Sequence, residues 1–237
     1  GEEHSRGEAK LMKRIYIICE GQTEETFFKE LLQQEMMLKG IELIPTLVGK
    51  PGHKGGNIQI ERIVTDARNL LLGDRAAYCT TFVDFYRIDS EFPGKSEATT
   101  KRTIDEKAAC IQEEMKKHIR KVVGEDAIRR FIPYVQMYEF EGLLFSEPKS
   151  LATGIYRQDL AEALERIRAD FSTPEDINDS PITAPSERLI GLMPEYEKVI
   201  YGSLAALEIG LEKIRTECKL FAEWLATIES LGSRGAV

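Results

Sequence analysis

The feature that most constrains the fold is a short apolar run, residues 14–19, that stops abruptly at Glu20 and Gly21. A continuous apolar run of this length is typical of a strand buried on both faces of a parallel sheet. Gly21 would supply the positive φ of a tight strand-to-helix turn, and Thr23 would cap the helix that follows. The pattern therefore predicts that Glu20 stands at the carboxyl end of a buried strand, where open α/β sheets place their active sites.

This junction alone leaves two interpretations of Glu20 open, an exposed turn residue or a functional carboxylate. Two later apolar runs that also lead into acids favour the second interpretation. One run ends at Asp84, and the other, residues 131–138, is expected to be a strand that continues into Glu139 and Glu141. On an extended chain these two glutamates would point the same way. Because the carboxyl ends of parallel strands share one edge of a sheet, we expect the acids to converge.

The rest of the chain predicts an α/β fold with a mainly parallel sheet flanked by helices. Helical patterns follow the strands at residues 58–72 and 103–123. Pro45 suggests that the second strand, residues 41–48, lies at an edge, is bulged or is short. We expect residues 1–11 to be a disordered extension or cloning remnant and residues 12–150 to form the α/β domain. Residues 151–237 would form a helical C-terminal subdomain packed on it.

Composition limits the functional classes. The net charge of −8 argues against a broadly basic nucleic-acid-binding surface, although a metal-dependent nucleic-acid enzyme with an acidic site remains compatible with it. No apolar run approaches the roughly 18 residues of a membrane-spanning helix, and no signal peptide is expected. The four cysteines are widely spaced, which favours reduced thiols and a cytoplasmic location.

The predicted cluster of carboxylates indicates a metal ion. Clustered carboxylates repel one another, so a divalent cation is their natural partner. With oxygen ligands and no histidine or cysteine nearby, Mg²⁺ or Mn²⁺ is favoured over zinc. A glycine-rich loop, residues 49–57, carries Lys54 but lacks the spacing of a P-loop. It is either a phosphate-binding loop or an ordinary connector.

Five stretches of the chain together resemble a known family. They read ICEGQTEETFF, TTFVDFYRI, YEFEGLLFS, INDSPITAPSERL and PEYEKV. They resemble a TOPRIM-like family of unknown function that occurs beside abortive-infection ATPases and is akin to RloB proteins and OLD-type TOPRIM nucleases. The resemblance covers most of the chain from Met12 onward and implies a TOPRIM-like α/β fold.

The resemblance also implies roles for individual residues. Glu20 would be catalytic, as general base or metal ligand, and Asp84 and Glu141 would bind the metal ion, with Glu139 as a further ligand. In TOPRIM enzymes the first glutamate is taken to handle protons while an Asp-x-Asp pair holds Mg²⁺. In this chain Tyr86 replaces the second aspartate of that pair, which puts the metal site and catalysis in question.

Three basic residues fall at apparent family motif positions in the helical part. Arg188, Lys198 and Arg215 are expected either to hold phosphate or nucleic acid or to form surface salt bridges.

Three functions are consistent with these patterns. The first is a Mg²⁺-dependent phosphoryl-transfer enzyme, a nuclease acting on DNA or RNA in prokaryotic phage defence. The second is a non-catalytic TOPRIM-like module that binds a nucleotide, nucleic acid, or an AAA-type or ABC-type partner ATPase encoded nearby. In the third, the acids merely end strands of a structural protein, and Glu20, Asp84 and Glu141 would then lie far apart.

Overall fold

The computed structural model describes residues 12–48, 57–178 and 180–232, and within them the sheet is parallel throughout. Its spatial order is β2-β1-β3-β4, and β5 pairs with the end of β3. The strands are β1 (Lys13–Cys19), β2 (Ile41–Leu47), β3 (Tyr78–Asp84), β4 (Phe131–Ile132) and β5 (Val135–Gln136). The prediction of an α/β fold with a mainly parallel sheet is confirmed.

Strand β2 is an edge strand, as Pro45 predicted. Pro45 lies opposite Ile17 of β1, and β2 pairs with no further strand of the described chain. Proline has no N–H group to donate, so it is tolerated where one side of the strand has no neighbour.

The chain from Phe131 forms two short strands, β4 and β5, rather than the single predicted strand. Pro133 cannot donate to the backbone ladder at the break. The hydroxyl of Thr81 replaces the missing backbone partner: Tyr134 N donates to Thr81 Oγ1 at 2.9 Å, and that hydroxyl donates to Tyr134 O at 2.7 Å. A side chain of β3 therefore holds the connection between β4 and β5 in register.

The predicted helices 58–72 and 103–123 correspond to α3 and α5. Thr103 caps α5 in a capping box with Glu106, and Gly124 interrupts the helix with a φ of 81°. A π-helical turn, Phe27–Leu32, joins α1 to α2. The helices are α1 (Gln22–Thr26), α2 (Gln33–Leu38), α3 (Ile60–Gly73), α4 (Lys95–Thr100), α5 (Ile104–Ile128), α6 (Glu141–Leu144), α7 (Pro148–Gly154), α8 (Ala161–Ala169), α9 (Pro185–Leu192), α10 (Ser203–Ile209), α11 (Leu211–Glu217) and α12 (Lys219–Glu229).

Hydrophobic clusters cover both faces of the sheet. Along β1 the side chains alternate, so that Ile17 belongs to one cluster and Ile18 to the other. The cluster around Ile17 also contains Phe221 and Trp224 of α12, and Trp224 Nε1 donates to Thr80 Oγ1 of β3 at 2.9 Å. The helical part is therefore packed directly on the sheet. Position 150 lies inside α7, and the division of the chain there stays a prediction.

The four cysteines are free thiols, and Cys19, Cys79 and Cys218 are buried. Among the described residues, none of the helices combines the length and apolarity needed to cross a bilayer. The cytoplasmic location stays a prediction.

Candidate functional site

The turn after β1 differs from its predicted geometry. Gly21 has φ −160° and ψ −170°, an extended conformation that any residue adopts, so the expected positive φ is absent. Helix α1 begins at Gln22, and Thr23 lies inside the helix instead of capping it. The tight turn therefore does not depend on the conformational freedom of glycine.

The carboxylate of Glu20 links the ends of β1 and β3. Asp84 N donates to Glu20 Oε1 at 2.7 Å, and the Nε of Arg87 donates to Glu20 Oε2 at 3.2 Å. Burial raises the pKa of Glu20 to about 7, against the opposing effect of the Lys198 ammonium. This carboxyl group can therefore accept or release a proton near neutral pH.

Asp84 is the last residue of β3 and is only 3% exposed. Its Oδ2 lies 3.2 Å from the Nζ of Lys198. Its Oδ1 is buried and has no hydrogen-bond partner within the described part of the chain. Burial raises the pKa of Asp84 well above its usual range, although Lys198 opposes the shift.

Glu139 and Glu141 do not lie on an extended chain, because β5 ends at Gln136 and the backbone turns at Tyr138, whose φ is 58°. Glu139 Oε2 accepts a hydrogen bond from the backbone N–H of Ser186 at 2.8 Å. Glu141 is the first residue of α6 and is buried. Burial raises its pKa.

The ammonium of Lys198 lies among three carboxylates. Its Nζ is 2.8 Å from Glu24 Oε1, 3.2 Å from Asp84 Oδ2 and 3.6 Å from Glu141 Oε2. Burial acts to lower the pKa of Lys198, but the surrounding carboxylates outweigh it and raise the pKa well above its usual value. The lysine is thus a fixed positive charge at the centre of the acids. We call Glu24, Asp84, Glu141 and Lys198 the ion cluster.

The ion cluster lies at one open cavity of about 390 Å³. The cavity is lined by Glu20, Gly21, Gln22, Thr23, Glu24, Asp84, Arg87, Glu139, Glu141, Ser186, Lys198 and Val199. The acids that follow β1, β3 and β5 therefore meet at one edge of the sheet. This geometry contradicts the interpretation in which Glu20, Asp84 and Glu141 lie far apart.

Among the described residues, Arg188 and Arg215 are not part of the lining of this cavity. Arg215 Nη1 donates to Glu229 Oε1 at 2.7 Å, and Arg188 Nε donates to Thr183 O at 2.7 Å. Both guanidinium groups thus join elements of the helical part. Lys54 lies outside the described residues. Phosphate binding by these three residues stays a prediction.

Glu24 belongs to the site but was not identified as a site residue from the sequence, where it fitted the first turn of a helix. Its side chain is buried and contributes the shortest contact to Lys198. One feature of the sequence could have identified Glu24: it lies four residues after Glu20, which is about one helical turn. This spacing was not decisive, because Glu20 lies before the start of the helix.

Tyr86 is the residue at which the resemblance described above would place a second acid. Its hydroxyl contacts Asn178 Oδ1, and its ring lies 5.5 Å from that of Tyr138. Tyr86 is not among the residues that line the cavity. The ion cluster takes its further carboxylates from Glu24 and Glu141 instead.

The ion cluster fits a divalent cation in the type of its donors. Carboxylate oxygens are the ligands of Mg²⁺ and Mn²⁺, and the unpartnered, buried Oδ1 of Asp84 is a donor of this kind. In the described chain, however, no three Asp, Glu, His or Cys side chains stand at metal-binding spacing. The ammonium of Lys198 occupies the space between the carboxylates. The residues that would hold a cation are Asp84 and Glu141, with Glu20 or Glu24.

Comparisons with known proteins give one family and two structural likenesses. The C-terminal region of the OLD protein of Xanthomonas campestris pv. campestris, solved with mercury and with platinum phasing, is similar at a TM-score of 0.39 in both cases. The sequence identities are 13% and 14%, and the similarity covers 92% of this chain and 97% and 95% of those chains. Likeness at this level supports no conclusion about function. No curated protein matches significantly. The family model described as "Domain of unknown function (DUF4276)" matches residues 19–229, and the chain belongs to that family.

Proposed function

We propose that this protein is a metal-dependent phosphoryl-transfer enzyme, a nuclease that acts on DNA or RNA in prokaryotic phage defence. The observation that carries the proposal is the meeting of Glu20, Asp84 and Glu141 with Lys198 at one open cavity. Burying several carboxylates together, one of them with an oxygen that has no hydrogen bond, lowers the stability of the folded protein. Such an arrangement is typical of a site that binds a cation and a charged substrate.

Each residue has a chemical role in this proposal. Glu20 accepts a proton from the attacking water, because its raised pKa of about 7 suits a general base at neutral pH. Its hydrogen bond from Asp84 N fixes the orientation of the carboxylate. Asp84 and Glu141 would hold the divalent cation, Mg²⁺ or Mn²⁺, with Glu139 as a further carboxylate of the cavity. When bound, this cation would neutralise charge that develops on the phosphoryl oxygens.

Lys198 supplies the positive charge that contacts the phosphate. Among the cavity residues, Lys198 and Arg87 are the basic side chains, and Arg87 is held by Glu20. An ammonium is a compact point charge that suits a phosphate oxygen. The strongly raised pKa of Lys198 keeps it charged at every physiological pH.

The defence role and the partner rest on the motif resemblance described above. It favours phage defence as the setting and an AAA-type or ABC-type ATPase as the partner. Cleavage is therefore to be assayed alone and with a candidate ATPase of this type.

The test is a cleavage assay on labelled single-stranded DNA, double-stranded DNA and RNA, with Mg²⁺, with Mn²⁺ and with chelator. Cleavage is expected with a metal ion and is expected to be lost in Glu20→Ala and Asp84→Ala. Glu175→Gln is a suitable control, because Glu175 is as deeply buried as Asp84 but is not among the residues that line the cavity. Undiminished cleavage by Glu20→Ala and Asp84→Ala would contradict the proposal.

A second candidate is a non-catalytic module that binds a nucleotide, nucleic acid or a partner ATPase. Tyr86 in the place of a second acid favours it, as does the ammonium that already neutralises the carboxylates. This candidate predicts ligand binding without turnover. Calorimetric titration with Mg²⁺ and Mn²⁺ separates the two, since a binding module need not take up either ion.

A further inference from the structure

The ion cluster is already balanced by a positive charge that belongs to the chain. The Nζ of Lys198 lies within 3.6 Å of the carboxylates of Glu24, Asp84 and Glu141. One oxygen of the cluster, Asp84 Oδ1, is nevertheless buried without a hydrogen-bond partner in the described residues. A buried carboxylate oxygen in this state retains the capacity to accept a further positively charged ligand.

We propose that the Lys198 ammonium and a divalent cation are alternative occupants of the ion cluster, so that binding of the cation expels the ammonium into the cavity. This inference deepens the proposed function and rests on it, because it concerns how the cation reaches the same carboxylates.

The distances indicate that the Lys198 ammonium and a divalent cation cannot occupy the ion cluster together. The ammonium lies 2.8 to 3.6 Å from the three carboxylates. Mg²⁺ requires oxygen ligands at about 2.0–2.1 Å, so the same carboxylates must move inward to hold it. They can do so only if the ammonium leaves the space between them. Two positive charges this close in a partly buried site also repel strongly.

Lys198 has space to move. About 31% of its side chain is exposed, and its Nζ lies 5.4 Å from the centre of the Phe140 ring, near the cavity. It begins a π-helical turn, Lys198–Gly202, and such turns are frequent at functional sites. Once expelled, the ammonium faces the open side of the cavity, where it can contact an anion. The cation would then bind first, and Lys198 would contact the phosphate afterwards.

Calorimetric titration with Mn²⁺ alone tests the competition. Lys198→Met keeps the length of the side chain and removes its charge, and we expect Mn²⁺ to bind it about tenfold more tightly than the wild type. Lys213→Met is the matched control, because Lys213 pairs with Glu147 and Glu217 outside the cavity. Its affinity for Mn²⁺ should equal that of the wild type. Equal or weaker binding by Lys198→Met overturns the proposal.

A second measurement uses the wild-type protein and so does not depend on the folding of a variant. Lysine acylation by an activated ester, followed by peptide mass spectrometry, reports how free each ammonium is. Mn²⁺ should raise the acylation rate of Lys198 several-fold and leave Lys213 unchanged. Unchanged or slower acylation of Lys198 with Mn²⁺ overturns the proposal.

The outcomes separate this inference from the proposed function. If wild type and Lys198→Met bind Mn²⁺ equally, the competition is refuted and a metal-dependent enzyme stands. If only Lys198→Met binds, the competition is supported and metal-dependent catalysis by the wild type is contradicted. If neither binds, both proposals are overturned.

Discussion

Two buried carboxylates of this protein, Glu175 and Asp84, have opposite surroundings. Glu175 is 1% exposed, and each of its oxygens accepts a backbone N–H at 2.9 Å, from Leu220 and from Phe221 at the start of α12. Asp84 is as deeply buried, but its Oδ1 has no hydrogen-bond partner among residues 12–48, 57–178 and 180–232. Glu175 thus joins a loop to a helix, whereas Asp84 faces a cavity.

The difference shows that burial alone does not distinguish an acid held by the fold from one that is left available for a ligand. Burial raises the pKa of both groups. What separates them is whether the chain itself satisfies the oxygens. A carboxylate whose oxygens are both occupied by backbone donors contributes to the fold. One that keeps an oxygen open, beside like charges, stabilises the fold less and remains available for a ligand.

The largest expected effect is on activity in Asp84→Asn. The substitution keeps the shape of the side chain but removes its charge, so phosphodiester cleavage should fall at least about 1,000-fold, more than about 4 kcal/mol of transition-state stabilisation. The free energy of unfolding should change little, because the substitution removes both the repulsion from the neighbouring carboxylates and the attraction to Lys198. Cleavage assays and urea unfolding measure the two effects. A cleavage rate within tenfold of the wild type would indicate that Asp84, like Glu175, contributes to the fold and not to the reaction.

The next largest effect is on stability in Glu175→Ala. Two backbone N–H groups at the start of α12 lose their acceptors, and each buried unsatisfied group costs about 1–3 kcal/mol. We expect the free energy of unfolding to fall by about 4 kcal/mol. Glu223→Ala on the exposed side of the same helix is the control and should change it by less than about 0.5 kcal/mol. Equal losses in the two variants would refute the structural role of Glu175.

The pH dependence of stability gives a smaller effect that isolates Glu175. Burial raises its pKa from 4.5 to about 7, against the two backbone hydrogen bonds. A raised pKa means that the folded protein binds the proton more tightly than the unfolded chain. The stabilising contribution is therefore complete below pH 4.5 and is lost as the pH rises to about 7, a span of about 3 kcal/mol.

Glu175→Gln cannot titrate, so its stability should fall less than that of the wild type between these pH values. Urea unfolding at pH 4.5, 5.5, 6.5 and 7.5 measures the difference between the two proteins. Parallel curves would show that Glu175 does not titrate in this range.

The smallest effect is expected for Glu139, which combines features of both acids. It lines the cavity, yet its Oε2 accepts the backbone N–H of Ser186. For Glu139→Gln we expect cleavage to fall less than tenfold and stability to fall by about 1 kcal/mol. The same two assays apply. A loss of cleavage as large as that of Asp84→Asn would assign Glu139 to the chemistry.

The sequence predicted the sheet and its main helices because their signals are local. The apolar runs of β1 and β3, the periodic patterns of α3 and α5, and Pro45 at the edge each reflect a physical preference of the segment itself. The break between β4 and β5 was not predicted, although Pro133 was a local signal for it. The hydrogen bonds of the Thr81 hydroxyl with the backbone of Tyr134 could not be predicted, because the two residues are about fifty positions apart in the sequence.

The candidate site, like the fold, was predicted only in the parts that depend on local sequence signals. Three acids at strand ends were predicted to converge, and the cavity contains them. Lys198 was predicted either to hold phosphate or to form surface salt bridges, but its position among the carboxylates depends on how the helical part packs against the sheet. Glu24 was not predicted as a site residue, because the helix dipole alone is sufficient to explain an acid in the first turn of a helix.

The hydrogen bond from Asp84 N to Glu20 has a consequence for how relatives are to be interpreted. Glu20 links the ends of β1 and β3, so a relative without the proposed activity would still be expected to keep this glutamate. Asp84 Oδ1 has no hydrogen-bond partner in the described residues, so the fold depends less on this oxygen. Under the proposed function, the presence of Glu20 among homologues would therefore not indicate activity, whereas the loss of the aspartate at position 84 would mark an inactive branch.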